Sequence, residues 1–115
     1  SIGEIGVTGK ARIIKNDLDI SLICPGEILF VPEELMTNVP LSKNIAGIVT
    51  NQNVDDVYAL FNKNNKKIST ICNLDNIDDH PIINGDLVTL QLNEGVIYMG
   101  QIEDDEEALD KYKYV

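Results

Sequence analysis

Few side chains in this 115-residue chain can do chemistry, and their spacing decides what kind. His80 is the one histidine, set in "DDHPIING" after Asp78 and Asp79 and before Pro81. Acidic neighbours suit an imidazole to a pH-sensitive contact, whereas His-Pro ahead of an apolar run reads equally as a turn. Cys24 and Cys72 belong to no C-x-x-C pair and no His/Cys cluster, so zinc and redox chemistry lack support. They read as buried, reduced thiols of a cytoplasmic protein. The carboxylates Glu103 to Glu107 are contiguous and lack the glycine spacing of a calcium loop. A solvated face or tail explains them more simply than a divalent-cation site. "GVTGKA", Gly6 to Ala11, has too few glycines to cradle a phosphate, and Lys10 reads as a surface residue. No metal ligands and no cofactor are expected.

One segment has the layout of a phosphate site without its residues. "IVTNQNVDDVYALFNKNNKKISTI", Ile48 to Ile71, runs strand, loop, helix, strand. The loop is rich in asparagine rather than glycine, and the helix opens on two carboxylates. Asn53 is a suitable N-cap, and Asp56 three residues on completes a capping box with Asp in place of Glu. Asp55 and Asp56 face the positive end of the helix dipole, while Lys63, Lys66 and Lys67 gather at the other end. Val54, Val57, Tyr58 and Phe61 fall at helical spacing and predict one apolar stripe, with Tyr58 in the core.

The elements around that helix set the fold class. "GVTGKARIIK" (6–15) predicts a strand entered from a turn. "PGEILFVP" opens on a Pro25-Gly26 turn, and its unbroken run Ile28 to Val31 predicts a strand buried on both faces. "EELMTNVPLSKN" predicts a short helix or turn limited by Pro40. "AGIVT" (46–50) and "KISTIC" (67–72) predict two more strands. In "GDLVTLQL", Val88, Leu90 and Leu92 alternate with Leu87, Thr89 and Gln91, the period of a strand. "NEG" then turns the chain into "VIYMG", a hairpin with Gly95 left-handed. The last residues, 101–115, predict an acidic helix or tail. Alternating elements of this kind define an α/β domain.

Composition narrows the partners. The formal charge is −10, from 19 acidic and 9 basic residues. A field of that sign repels nucleic acid and anionic membrane. The apolar runs are too short to span a bilayer. The chain begins at Ser rather than Met, which fits a domain of a longer protein.

In order and spacing, "GVTGKARII", "GEILFVP", "AGIVT", "ISTI", "NGDLVTL" and "GVIYMG" resemble the mobile, swivelling phosphohistidine domain of phosphoenolpyruvate-utilising enzymes. That family includes pyruvate phosphate dikinase and phosphoenolpyruvate synthase, and a similar module extends some pyruvate kinases. The resemblance covers Gly6 to Gly100 and implies a three-layer β/β/α swivelling fold over residues 1–100. It implies a central, mostly parallel sheet and a second, small antiparallel sheet. In the family, the strand matching "AGIVT" leads to Glu, two glycines, a small hydroxyl residue and the phosphoacceptor His. Aligned without a gap, these fall at Asn51, at Asn53 and Val54, near Asp56 or Val57, and at Tyr58. The family Arg falls at Asn64, and its Gly-Ile-Pro at Lys67, Ile68 and Ser69.

None of the reactive positions is kept. A phenol with a pKa near ~10 is a poor substitute for an imidazole nucleophile. Val54 replaces a glycine that would bring backbone N–H groups to the phosphate. At ~4 Å and an effective dielectric near ~20, each carboxylate would repel a phosphate charge by about 4 kcal/mol. The expectation is therefore a catalytically inactive domain that docks on neighbouring domains of a parent chain or on another protein. Two alternatives stand beside it: a phosphoryl carrier using an atypical residue, and a stand-alone acidic binding domain.

Overall fold

A computed structural model describes residues 6–75 and 77–99 and the backbone at 113–114. The strands are β1 (Gly6–Ile13), β2 (Ile28–Val31), β3 (Gly47–Thr50), β4 (Thr70–Ile71), β5 (Leu87–Gln91), β6 (Val96–Met99) and β7 (Lys113–Tyr114). The helices are α1 (Asp17–Ile20) and α2 (Val54–Lys63), with a 3-10 helix at Glu33–Asn38. The α/β class follows as expected. The acidic run Glu103 to Glu107 lies outside the described residues, whereas Lys113–Tyr114 pairs with β6.

All strands join one mixed sheet in the order β4-β3-β2-β1-β5-β6-β7. β4 to β1 are mutually parallel, and β5 to β7 extend the sheet in antiparallel fashion. The separate antiparallel sheet expected from the resemblance is absent among the described residues. The reason lies in β1, which is long enough to serve both halves. Its first part, Gly6–Lys10, pairs with β5, and its last part, Ala11–Ile13, pairs with β2.

The sheet curls back over itself. β5 stands three places from β3, roughly 14 Å away in a flat sheet at the usual strand spacing. Yet a Cβ on Gly47 of β3 would lie 2.9 Å from Leu90 Cδ1 of β5. Gly9 makes a similar close approach, since a Cβ there would lie 2.5 Å from the Gly26 carbonyl oxygen.

The two sheet faces build two cores. Leu29, Val31 and Ile48 meet Val57 and Phe61 of α2, with Met36, Val39 and Leu41 beside them. Ile28, Phe30 and Val49 meet Val88, Leu90 and Ile97 of the antiparallel strands, with Ile77 and Ile82 beside them. This is why β2 and β3 are buried throughout, as their unbroken apolar runs predict. Gly95 has φ 69°, as the hairpin requires.

Two expectations for side chains need correction. Tyr58 is 43% exposed, so it lies outside the core. At about 100° per residue it stands about 100° from Val57, beyond Phe61 and Val54 at about 40° and 60° on the same side, while Leu60 lies about 60° to the other side. Leu60 shifts the buried face away from Tyr58, leaving Val57 and Phe61 at its centre. Cys24 is exposed rather than buried, and Cys72 is partly buried; both are free thiols. The apolar neighbours of Cys24 in sequence include Leu22, itself 52% exposed, so that context did not mean burial.

Candidate functional site

The parallel strands end together at one edge of the sheet, where open α/β sheets place their ligands. That edge holds Lys15 after β1, Glu33 after β2, Asn51 to Asn53 after β3, and Asn73 after β4. The structure thus brings the resemblance-matched positions Asn51, Asn53, Val54 and Asp56 to one edge, with Tyr58 one turn further along α2. Asn64 lies apart, at the far end of that helix.

Hydrogen bonds show what the asparagines do. Asn51 Oδ1 accepts from the Glu33 N–H at 2.7 Å, tying β3 to the 3-10 helix. The Gln52 carbonyl accepts from Asn73 N–H at 3.0 Å, tying the loop to the segment after β4. Asn53 Oδ1 accepts from Asp56 N–H at 2.8 Å, and Asn53 Nδ2 donates to Asp56 Oδ2 at 2.9 Å. Asp56 thus pairs with the Asn53 side chain rather than returning to its backbone N–H, so only one half of the expected capping box forms. Val57 N–H donates to the Asn53 carbonyl in the first intrahelical bond, so the Asp56 N–H is the one otherwise orphan amide of the first turn that a side chain takes.

The other end of α2 is finished the same way. Asn64 Nδ2 donates to the Leu60 carbonyl at 2.8 Å. Asn65 takes a positive φ of 50°, and Lys66 N–H donates to the Phe61 carbonyl at 3.0 Å. Together with the Asn65 N–H bond to Asn62, this is a Schellman motif with Asn in the left-handed position. Asn64, matched to the family Arg, is a C-cap here.

The electrostatic argument changes with exposure. Asp55 and Asp56 are both exposed. Water screens such charges, and repulsion at ~4 Å falls toward about 1 kcal/mol. The capped Asp56 amide and the missing imidazole, rather than carboxylate charge alone, are what remain against a phosphoryl group.

Beside this edge lies an open groove of about 770 Å³. Ile13 and Lys15 come from the end of β1, Asp19 from α1, and Asp78, His80, Ile82, Ile83 and Asn84 from the loop before β5. A shallower recess of about 400 Å³ adjoins it through Asp78, with Asn51, Asp75, Ile77 and Asp79 on its walls. His80 is built into the wall: its ring lies 5.1 Å from Phe30, tilted by 49°, and Nδ1 accepts from Ile82 N–H at 3.2 Å. Asn84 Oδ1 accepts from Ile13 N–H at 2.6 Å and fixes the loop to β1. Among the described residues no His/Cys/Asp/Glu group has the arrangement of a metal site.

Sequence reasoning missed a part-buried ion pair between β1 and the residue before β2. Arg12 Nε and one terminal nitrogen donate to the two Glu27 oxygens at 3.1 and 2.8 Å. Glu27 Oε1 also accepts from Cys24 N–H at 2.7 Å, and the residue is only 7% exposed. Burial pushes the Glu27 carboxyl up, but the Arg12 and Cys24 hydrogen bonds and the Arg12 and Lys10 charges outweigh it, holding the group below its ordinary value. The hydrogen bond to Glu27 raises Arg12 in turn, against the opposing effect of burial. A weak signal was present: Glu27 stands just ahead of the unbroken run Ile28 to Val31, with Arg12 the only arginine. Burial at Cys72 pushes its thiol up. Helix α1 was also missed, although Asn16 caps it by accepting from Asp19 N–H at 3.1 Å.

No family model matches this chain, and no curated protein is significantly similar to it. Among the described residues, no helix is long and apolar enough to cross a membrane.

Proposed function

We propose that this chain is a catalytically silent counterpart of the phosphohistidine swivelling domain, a three-layer β/β/α module that serves as a docking or regulatory unit. Its partners are neighbouring domains of a phosphoenolpyruvate-utilising enzyme or pyruvate kinase, or another protein. The layers of this reading are α2, the parallel strands, and the antiparallel strands folded over their far face. The single observation that carries it is the Asn53–Asp56 side-chain cap, which sits where the resemblance puts the phosphate loop. A helix start whose Asp56 amide is already taken by a side chain has one donor fewer for a phosphoryl group.

A second reading has one observation in its favour. Tyr58, aligned with the phosphoacceptor, is 43% exposed and reachable. Incubation with radiolabelled phosphoenolpyruvate, or with ATP and a nucleotide-binding domain of a family enzyme, separates the two. Docking without chemistry leaves no label. Acid-labile label on His80 would overturn the silent reading, and acid-stable label that disappears in Tyr58→Phe would establish the second one.

A further inference from the structure

The groove beside the carboxyl edge has features that the capped helix lacks, and they specify a partner. Its volume of about 770 Å³ falls within the range of real binding clefts. One side is aliphatic, from Ile13, Ile82 and Ile83. Ile83 is 66% exposed, although it is a large apolar side chain. Leu18 and Leu22, immediately before and three residues after the lining Asp19, are 71% and 52% exposed. Ile83, an aliphatic side chain left in water within the cleft, is a group that a partner gains by covering.

Charge identifies the class of occupant. Asp19 and Asp78 line the groove, and Asp75 and Asp79 line the adjoining recess, against a single lysine, Lys15. Among the described residues Asp78 and Asp79 form no ion pair. The chain as a whole carries −10. Anionic ligands, phosphate included, are repelled from such a site, while lysine and arginine are drawn to it.

We infer that this groove docks a partner polypeptide segment in which an aliphatic anchor lies beside lysine or arginine residues. The inference rests on the docking reading above and gives it a location and a partner chemistry. The aliphatic side chain packs on Ile83 and the partly buried Ile13, over the buried Ile82, and the basic groups meet Asp19, Asp78 and Asp79. Phe30 backs His80 and Asn84 holds β1, so the groove is formed before the partner arrives.

The test uses the full chain and short fluorescent peptides of alternating leucine and arginine. One control peptide carries serine in place of leucine, and another carries glutamate in place of arginine. Fluorescence anisotropy should show the leucine–arginine peptide binding about tenfold or more tighter than either control, and weakening as salt rises. Ile83→Ser, at an exposed position that leaves the fold intact, should weaken binding about fivefold or more. The double variant Asp19→Asn with Asp78→Asn should abolish the preference for arginine over glutamate. Amide NMR should place the shifts at Ile13, Lys15 and Ile82 to Asn84. Equal binding of all peptides, no binding at all, or no effect of Ile83→Ser would overturn the inference. So would shifts at Ile83 that depend on protein concentration alone, because the occupant would then be a second copy. Shifts confined to Asp55, Asp56 and Tyr58 would overturn the groove and leave the docking reading standing. Label from phosphoenolpyruvate would remove the docking reading independently of any peptide result.

Discussion

Removing the Glu27 carboxylate tests whether one part-buried ion pair organises the β1–β2 side of the sheet. Glu27 accepts three hydrogen bonds, two from Arg12 and one from the Cys24 amide. Hydrogen bonds to a charged group are each worth about 1.5–3 kcal/mol. The Arg12 side chain keeps 20% of its surface exposed and Cys24 is exposed, so water can rehydrate both donors after Glu27→Ala. That places the cost well below a simple sum, at about 2–3 kcal/mol. For 115 residues the entropy of unfolding is about 0.24 kcal/mol/K, so Tm should fall by about 10 °C. Circular dichroism melts of Glu27→Ala, Arg12→Ala and the double variant measure this and the coupling between the two residues. Because the folded carboxyl titrates below its ordinary value, the stabilisation is present above the unfolded pKa of ~4.3 and is lost as pH falls through the folded value. The gap between the wild type and Glu27→Gln should therefore be full at neutral pH and close on acidification below about 4. A Glu27→Ala loss under about 0.5 kcal/mol, additive single variants, or a gap independent of pH would refute the reasoning.

Two further outcomes follow from burial. Phe61→Ala should cost about 3–4 kcal/mol by emptying the space between α2 and the sheet, whereas Tyr58→Ala should cost about 1 kcal/mol or less, as measured by urea titration. Equal losses at the two positions would place Tyr58 in the core after all. Cys24 should react with a maleimide faster than Cys72, which is less accessible and whose thiol burial pushes up; mass spectrometry of the partly labelled chain should show Cys24 modified first.

The parallel half of the fold was legible because its signals were local. Ile28 to Val31 and Gly47 to Thr50 are buried on both faces, and an unbroken apolar run is what such a strand requires. The cap at Asn53 was equally local, because it depends on residues only three positions apart. What stayed hidden was non-local. No pattern within β1 reveals that its first half pairs with a strand some eighty residues away, and that pairing makes one sheet where two were expected. The groove is non-local too: it needs the end of β1, α1 and the loop at Asp78 to Asn84 in one place. Tyr58 fell between these cases. Its spacing fitted the stripe, but Leu60 was equally eligible, and only the packed sheet decides which flank of Val57 is buried.

The asparagines of the central segment connect stability to function. A helix start that receives phosphate must keep several amides without a partner until the ligand arrives, and that leaves the empty state less stable. Here the Asn53 side chain takes the Asp56 amide of the first turn, while Asn64 and Asn65 close the last. Asn51 fastens the preceding loop to Glu33. Each contact lowers the free energy of the unliganded domain and removes an amide or a degree of freedom that a phosphoryl group would have used. On the proposed reading, absence of a phosphate site and strengthening of α2 are one feature of the sequence seen from two sides. A domain stabilised this way has no energetic need of a ligand at α2, which is consistent with the proposal that recognition lies instead in the groove around Ile83 and Asp78.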